Sequence, residues 1–241
     1  MLSLSLAEWG AAFGALAVGS WVQSSAGLGL GLIAAPVLLL IEPGLVPGPL
    51  LGVALVLAAL VTWRDRQGID AEGFGAVLLG RLAGTVPGVL LVASLPERPL
   101  SFALGALVLL AVALSASGLR LAPSRRSLLA AGTLSGFMGT TAAIGGPPLA
   151  LVYQHASGRR LRGTLSGHYV LGCALSLSGL ALAGRFGKAE LAAAAALLPG
   201  ALLGFALSAR TARLLDQGLA RPAVLALSGV AGLVVILRQL L

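Results

Sequence analysis

Two uncharged tracts hold the residues best suited to chemistry. Gln23, Ser24 and Ser25 stand just before Gly27 and Gly29, and Thr140 and Thr141 stand just before Gly145 and Gly146. Hydroxyls and a carboxamide are hydrogen-bond donors, and glycine lets backbone N–H groups approach a ligand closely. Such a set suits a small anion. Each residue also has a plainer reading: Ser and Thr in apolar helices bond back to a carbonyl one turn earlier, and glycines serve helix contact. Arg81 is the single charge well inside an apolar segment, where an unpaired charge is costly and so a candidate for function. Its long stem could equally carry the head group to an interface. His168, beside Tyr169, could donate to an anion, carry a proton, or pack as a hydrogen-bonded core histidine. His155, with Tyr153 and Gln154, reads as interfacial.

Other chemistries lack their parts. Glu8, Glu42, Asp65, Asp70, Glu72, Glu97, Glu190 and Asp216 all fall at segment ends or in loops, leaving no carboxylate for a central proton or sodium site. No phosphate-binding loop with its lysine and no HExxH pattern occurs, and no serine–histidine–acid set falls in one leaflet. Cys173 is the sole cysteine, so a cysteine metal cluster and an internal disulfide are excluded. The reading is a carrier rather than an enzyme, with no catalytic residue, metal or cofactor. A membrane enzyme could draw only on His168 and Arg81, and a scaffold would need larger loops.

The elements around these residues repeat. A shift from 25 to 141 lays the chain over itself for about 70 residues: Trp21 on Phe137, Ser24 and Ser25 on Thr140 and Thr141, Gly29 on Gly145, Leu55 on Leu171, Gly84 on Gly200 and Gly88 on Gly204. Shared hydrophobicity would not align hydroxyl pairs and glycines. The composition is 58% apolar and 10% charged, with 34 glycines, and the mean hydropathy is +1.00. That is a chain for lipid, with small residues for close helix contact. The net charge of +8 lies in short gaps between apolar runs without interleaved aromatics, which argues against nucleic acid. No Lys or Arg precedes the first apolar run, so it reads as retained rather than as a signal peptide.

Charges and Pro/Gly breaks divide each half into five apolar segments: 8–23, 28–41, 47–63, 73–94 and 99–119, then 127–140, 144–157, 164–184, 189–209 and 222–240. The last three of each half can span about 30 Å of hydrocarbon at 1.5 Å per residue. The first two read as a short hairpin that enters and returns, turning at Gln23–Gly27 or Thr140–Ala143. Three crossings per half put Arg64, Arg66, Arg120, Arg125, Arg126, Arg159, Arg160, Arg162, Arg210, Arg213 and Arg221 on one side, and Arg98, Arg185, Lys188 and Arg238 on the other. The crowded side is then cytoplasmic, with both termini outside. An odd number of crossings inverts the second half. The expectation is an all-α integral membrane protein of two inverted repeats, each a short helical hairpin plus three transmembrane helices. Residues 1–122 form the first repeat and 123–241 the second, in one transport domain. The hairpins meet near the midplane and aim their helix N-termini, with Gln23, Ser24, Ser25, Gly27, Gly29, Thr140, Thr141, Gly145 and Gly146, at one anion.

The tract Ser25-Ala26-Gly27-Leu28-Gly29-Leu30-Gly31-Leu32-Ile33-Ala34-Ala35-Pro36 resembles the glycine-rich signature of the TauE/SafE sulfite exporter family. The tract Gly136-Phe137-Met138-Gly139-Thr140-Thr141-Ala142-Ala143-Ile144-Gly145-Gly146-Pro147-Pro148 is similar to its second-copy counterpart. The resemblance covers essentially the whole chain. It implies a bacterial inner-membrane permease for sulfite, sulfonates or related organic anions, often an exporter. The partners expected are a small anionic substrate and the lipid bilayer. Small-residue helix faces leave room for a homodimer, and no nucleic acid is expected. A uniporter or channel-like carrier for another small anion, such as a carboxylate, is the alternative.

Overall fold

A computed structural model describes residues 4–119, 121–156, 158–215 and 220–240, with side chains given outside 210–215, 220–221, 223 and 240. Arg120 and Asp216 lie outside the described residues, as do the side chains of Arg210, Arg213 and Arg221. Among the described residues, regular structure is entirely helical. The helices are α1 (Leu6–Ala26), α2 (Leu30–Ile41), α3 (Gly48–Asp65), α4 (Phe74–Ser94), α5 (Glu97–Ala116), α6 (Arg125–Ala142), α7 (Gly146–Tyr153), α8 (Gly158–Leu182), α9 (Lys188–Leu215) and α10 (Ala220–Leu240). Five of them, α3, α4, α5, α8 and α9, are long and apolar enough to cross a bilayer. Large apolar side chains such as Leu90, Leu203 and Val230 point out of the bundle, where a soluble protein would place polar ones.

Local chemistry marks the ends of the two first arms. Ser5 and Glu8 cap the start of α1 reciprocally, as Ser124 and Ser127 cap α6. α1 stops at Gly27, which takes a left-handed φ of 89°, and α6 stops at Ala143 with a φ of 57°. Ala143 is the one non-glycine with positive φ among the described residues. It holds a conformation that its counterpart Gly27 adopts without steric cost.

These ends correct the expected hairpins. α1 has 21 residues and α6 has 18, so Gln23, Ser24, Ser25, Thr140 and Thr141 are helical instead of forming the turns. The breaks fall later, at 27–29 and 143–145. The returning arms are the short ones, 12 residues in α2 and 8 in α7. Each restarts well back along its own first arm. Leu30 lies against Gly19, and Gly145 against Ser135, roughly 15–20 Å from the starts of α1 and α6 at 1.5 Å per residue.

The two halves of the chain exchange contacts. α4 packs along α6, and α9, the fourth helix of the second half, packs along α1. α3 packs on its counterpart α8, and α5 on its counterpart α10. α3 and α8 run antiparallel: Asp65 at the end of α3 meets Arg162 at the start of α8, while Gly48 at the start of α3 meets Phe186 just beyond the end of α8. The register differs from the gapless one at a single place. Gly84 abuts Thr133 and Phe137, whereas it is Gly204 that abuts Ala17 and Trp21, the counterparts of those two residues. Gly84 therefore corresponds to Gly204, not Gly200, and one helical turn has slipped in before α9. Phe74 against His168, matched by Ala194 against Gly52, shows the same slip.

Candidate functional site

The two broken segments lie side by side, each tied at its start to the helix before it, Gly27 N–H to the Gln23 carbonyl and Ala143 N–H to the Gly139 carbonyl. A Cβ on Gly31 would overlap the Ala143 carbonyl, and one on Gly146 would touch Leu28. The absence of a side chain at Gly31 therefore permits the crossing. Around it lies a cavity of about 40 Å³, lined by both broken segments and by Gln23, Arg81, Gly139, Tyr169 and Cys173.

Arg81 is 2% exposed. Its Nη1 donates to Ser135 Oγ at 3.0 Å, and Ser135 Oγ donates to the Gly145 carbonyl at 2.6 Å. One hydroxyl thus joins the cation on α4 to the broken segment between α6 and α7. Arg81 Nε has no partner, and among the described residues no carboxylate pairs with this guanidinium. Space for the head group exists because residue 172 is glycine; any Cβ there would overlap the guanidinium. The Tyr169 hydroxyl, beside Gly146, is also buried without a partner. The second half repeats no such charge, since the slipped register places Ala201 opposite Arg81. A buried, unneutralised cation costs several kcal/mol unless something anionic joins it.

Of the residues singled out from sequence, Gln23, Gly29, Gly145, Gly146 and Arg81 line this cavity. The Gln23 Oε1 accepts the Leu30 N–H at 3.2 Å, so the carboxamide caps α2. Ser24, Ser25, Gly27, Thr140, Thr141 and His168 stand outside the lining. Arg64 donates to the Ser24 carbonyl and Arg162 to the Ser25 carbonyl, while both bind Asp65 Oδ2 at 3.0 Å. Gly27 abuts Leu165 and Arg162. Thr140 Oγ1 meets Ser176 at 2.7 Å, and Thr141 bonds back to the Phe137 carbonyl, the plainer reading of such residues. His168 is sandwiched, its ring stacked on Phe74 and its Nε2 3.1 Å from the Tyr153 hydroxyl.

Sequence reasoning missed Ser135, Gly172, Tyr169 and the buried Asp65. Only Asp65 gave a signal, as a carboxylate wedged between Arg64 and Arg66 at the end of an apolar run. The cations divide between two ends of the bundle. Arg64, Arg159, Arg160 and Arg162 gather around Asp65, Gln67 and Asp70. At the other end Arg185 reaches the Ala93 carbonyl and Arg238 the Leu40 carbonyl.

Among known families, the model described as Sulfite exporter TauE/SafE matches residues 11–235. No curated protein and no solved structure matches the chain.

Proposed function

The chain belongs to the TauE/SafE sulfite exporter family, a family of membrane transporters, and on that premise we propose that it is a bacterial inner-membrane permease exporting sulfite or organosulfonates such as sulfoacetate. The anion binds at the crossing of the two broken segments, against Arg81. One observation carries this reading: a buried guanidinium with a free Nε and, among the described residues, no carboxylate partner, opening on a cavity between backbone breaks. Helix starts at Leu30 and Gly146 add partial positive charge on the same side. At about 40 Å³ the cavity is too small for an organosulfonate as it stands, so loading takes a separation of α2 and α7. The repeats are inverted, a reading supported by the antiparallel run of α3 against α8. The crowded cationic end is cytoplasmic and both termini are outside. An inside-negative potential then drives export, contributing about 2.3 kcal/mol per charge per 100 mV.

A guanidinium also grips a carboxylate through two parallel N–H···O bonds, which favours a second reading as a uniporter for a small organic acid. Thermal shift of the purified protein against sulfite, sulfate, sulfoacetate, taurine and lactate separates the two. The sulfur oxyanion should raise Tm and lactate should not. If no anion shifts Tm, and vesicles containing the protein move no labelled sulfonate, the reading fails.

A further inference from the structure

A second, larger cavity of about 540 Å³ lies at the cation-crowded end, between the starts of α4 and α6 and the end of α7. Its volume falls in the range of small-molecule sites. The two cavities are joined by one element. Gly146 and Pro147, at the start of α7, line the central cavity, and Val152 and Tyr153, at its end, line the outer one. Eight residues make this partition about 12 Å long. Its middle is dry: Leu149 and Val152 pack with Leu128, Ala131, Val77 and Leu165.

The charges lining the outer cavity balance formally, Asp70 and Glu72 against Arg125 and Arg160. Arg160 is neutralised by Asp70 at 2.6 Å, and that contact holds the Asp70 carboxyl below its ordinary value, so it stays ionised. Arg125 has no ion-pair partner among the described residues. It stands at the first turn of α6, where the helix dipole adds to its charge, and Glu72 opposes it. The Tyr153 hydroxyl is held by His168 and closes the inner wall.

We propose that this cavity is a second, weaker site for the transported anion, the cytoplasmic vestibule from which Arg81 is loaded when α7 moves aside, with Arg125 as its attracting cation. The proposal rests on the reading of Arg81 as the central site. Weak binding suits the role, because an ion must leave a vestibule as readily as it arrives.

The test measures transport of labelled sulfoacetate from each face, in inside-out and right-side-out vesicles. Arg125→Gln should raise KM from the cytoplasmic face about threefold and Arg125→Glu about tenfold, with kcat nearly unchanged. KM from the opposite face should stay as it was, and Arg125→Lys should behave as the parent. Ala76→Trp, which fills the cavity from α4, should lower kcat/KM from the cytoplasmic face alone. An unchanged KM, or an equal shift from both faces, overturns the vestibule. Arg81→Gln separates the two failures. If it transports normally, the central site falls. If it is inactive while Arg125→Glu is indifferent, only the vestibule falls.

Discussion

Arg81 sets the chemistry of the centre because no carboxylate among the described residues neutralises it. An uncompensated buried charge destabilises the fold. Arg81→Gln should therefore abolish anion binding and cut transport at least about a hundredfold, as loss of charged hydrogen bonds implies. Tm should stay level or rise. A fall in Tm that matches the loss of transport would mark the arginine as purely structural. Gly172→Ala tests the same group from its other side. The added methyl evicts the guanidinium, so the anion-induced Tm shift should vanish while the fold persists, measured by thermal unfolding with and without sulfite. Ser135→Ala removes the hydroxyl between Arg81 and Gly145, and should cost about 1–2 kcal/mol of stability together with part of the affinity.

At the scale of elements, the end of α1 is tied down by charge. Asp65, 3% exposed, holds Arg64 and Arg162, which in turn take the Ser24 and Ser25 carbonyls at the last turn of α1. Those carbonyls have no partner further along the helix, so the arginines satisfy them. Asp65→Ala leaves Arg64, Arg159 and Arg162 without their shared carboxylate and should cost about 3 kcal/mol, visible as a lower Tm and reduced accumulation in the membrane. Arg64→Lys should recover little in an assay of stability, because one point charge cannot reproduce the guanidinium's bonds to a carbonyl, Asp65 and Ser208 at once. The two broken segments are the complementary element. They give up helical bonds to bring backbone to the centre, which membrane proteins tolerate only where protein or a polar cavity surrounds it. Gly31→Val should force them apart and abolish transport even if the outer helices still insert, which protease protection of the loops would register.

For the whole molecule, the exchange of contacts between halves makes one closed unit: α9 packs on α1 as α4 packs on α6, so each first arm takes its most extensive partner from the other half. Separately expressed halves should therefore be unstable until mixed. Orientation is testable with Arg125→Cys in a Cys173→Ala background, which should react with an impermeant thiol reagent only from the cytoplasmic side. Labelling from outside would reverse the topology. A homodimer through small-residue faces remains a proposal for crosslinking in native membranes.

Composition and hydropathy were enough to determine a helical membrane protein, and the duplicated hydroxyl–glycine tracts supply the reading as two five-segment halves. Lipid exposure selects apolar residues throughout, and duplication leaves its mark on residue type. Arg81 also stood out unaided, because a charge in an apolar run is conspicuous wherever it points. Tertiary structure alone decided which donors face the centre. The helices run two to three residues further than the polar tracts suggest, since Gly27 and Ala143, not the hydroxyls, adopt the left-handed turn. Thr140 then serves neighbouring helices and Thr141 bonds back along its own, while Tyr169 reaches the cavity and Ser135 and Gly172 shape the place of Arg81 from segments distant in the chain. Nor could a linear overlay of the halves reveal the one-turn slip before α9. Its glycines recur every four residues, so both registers match equally well until the packing against α1 selects one.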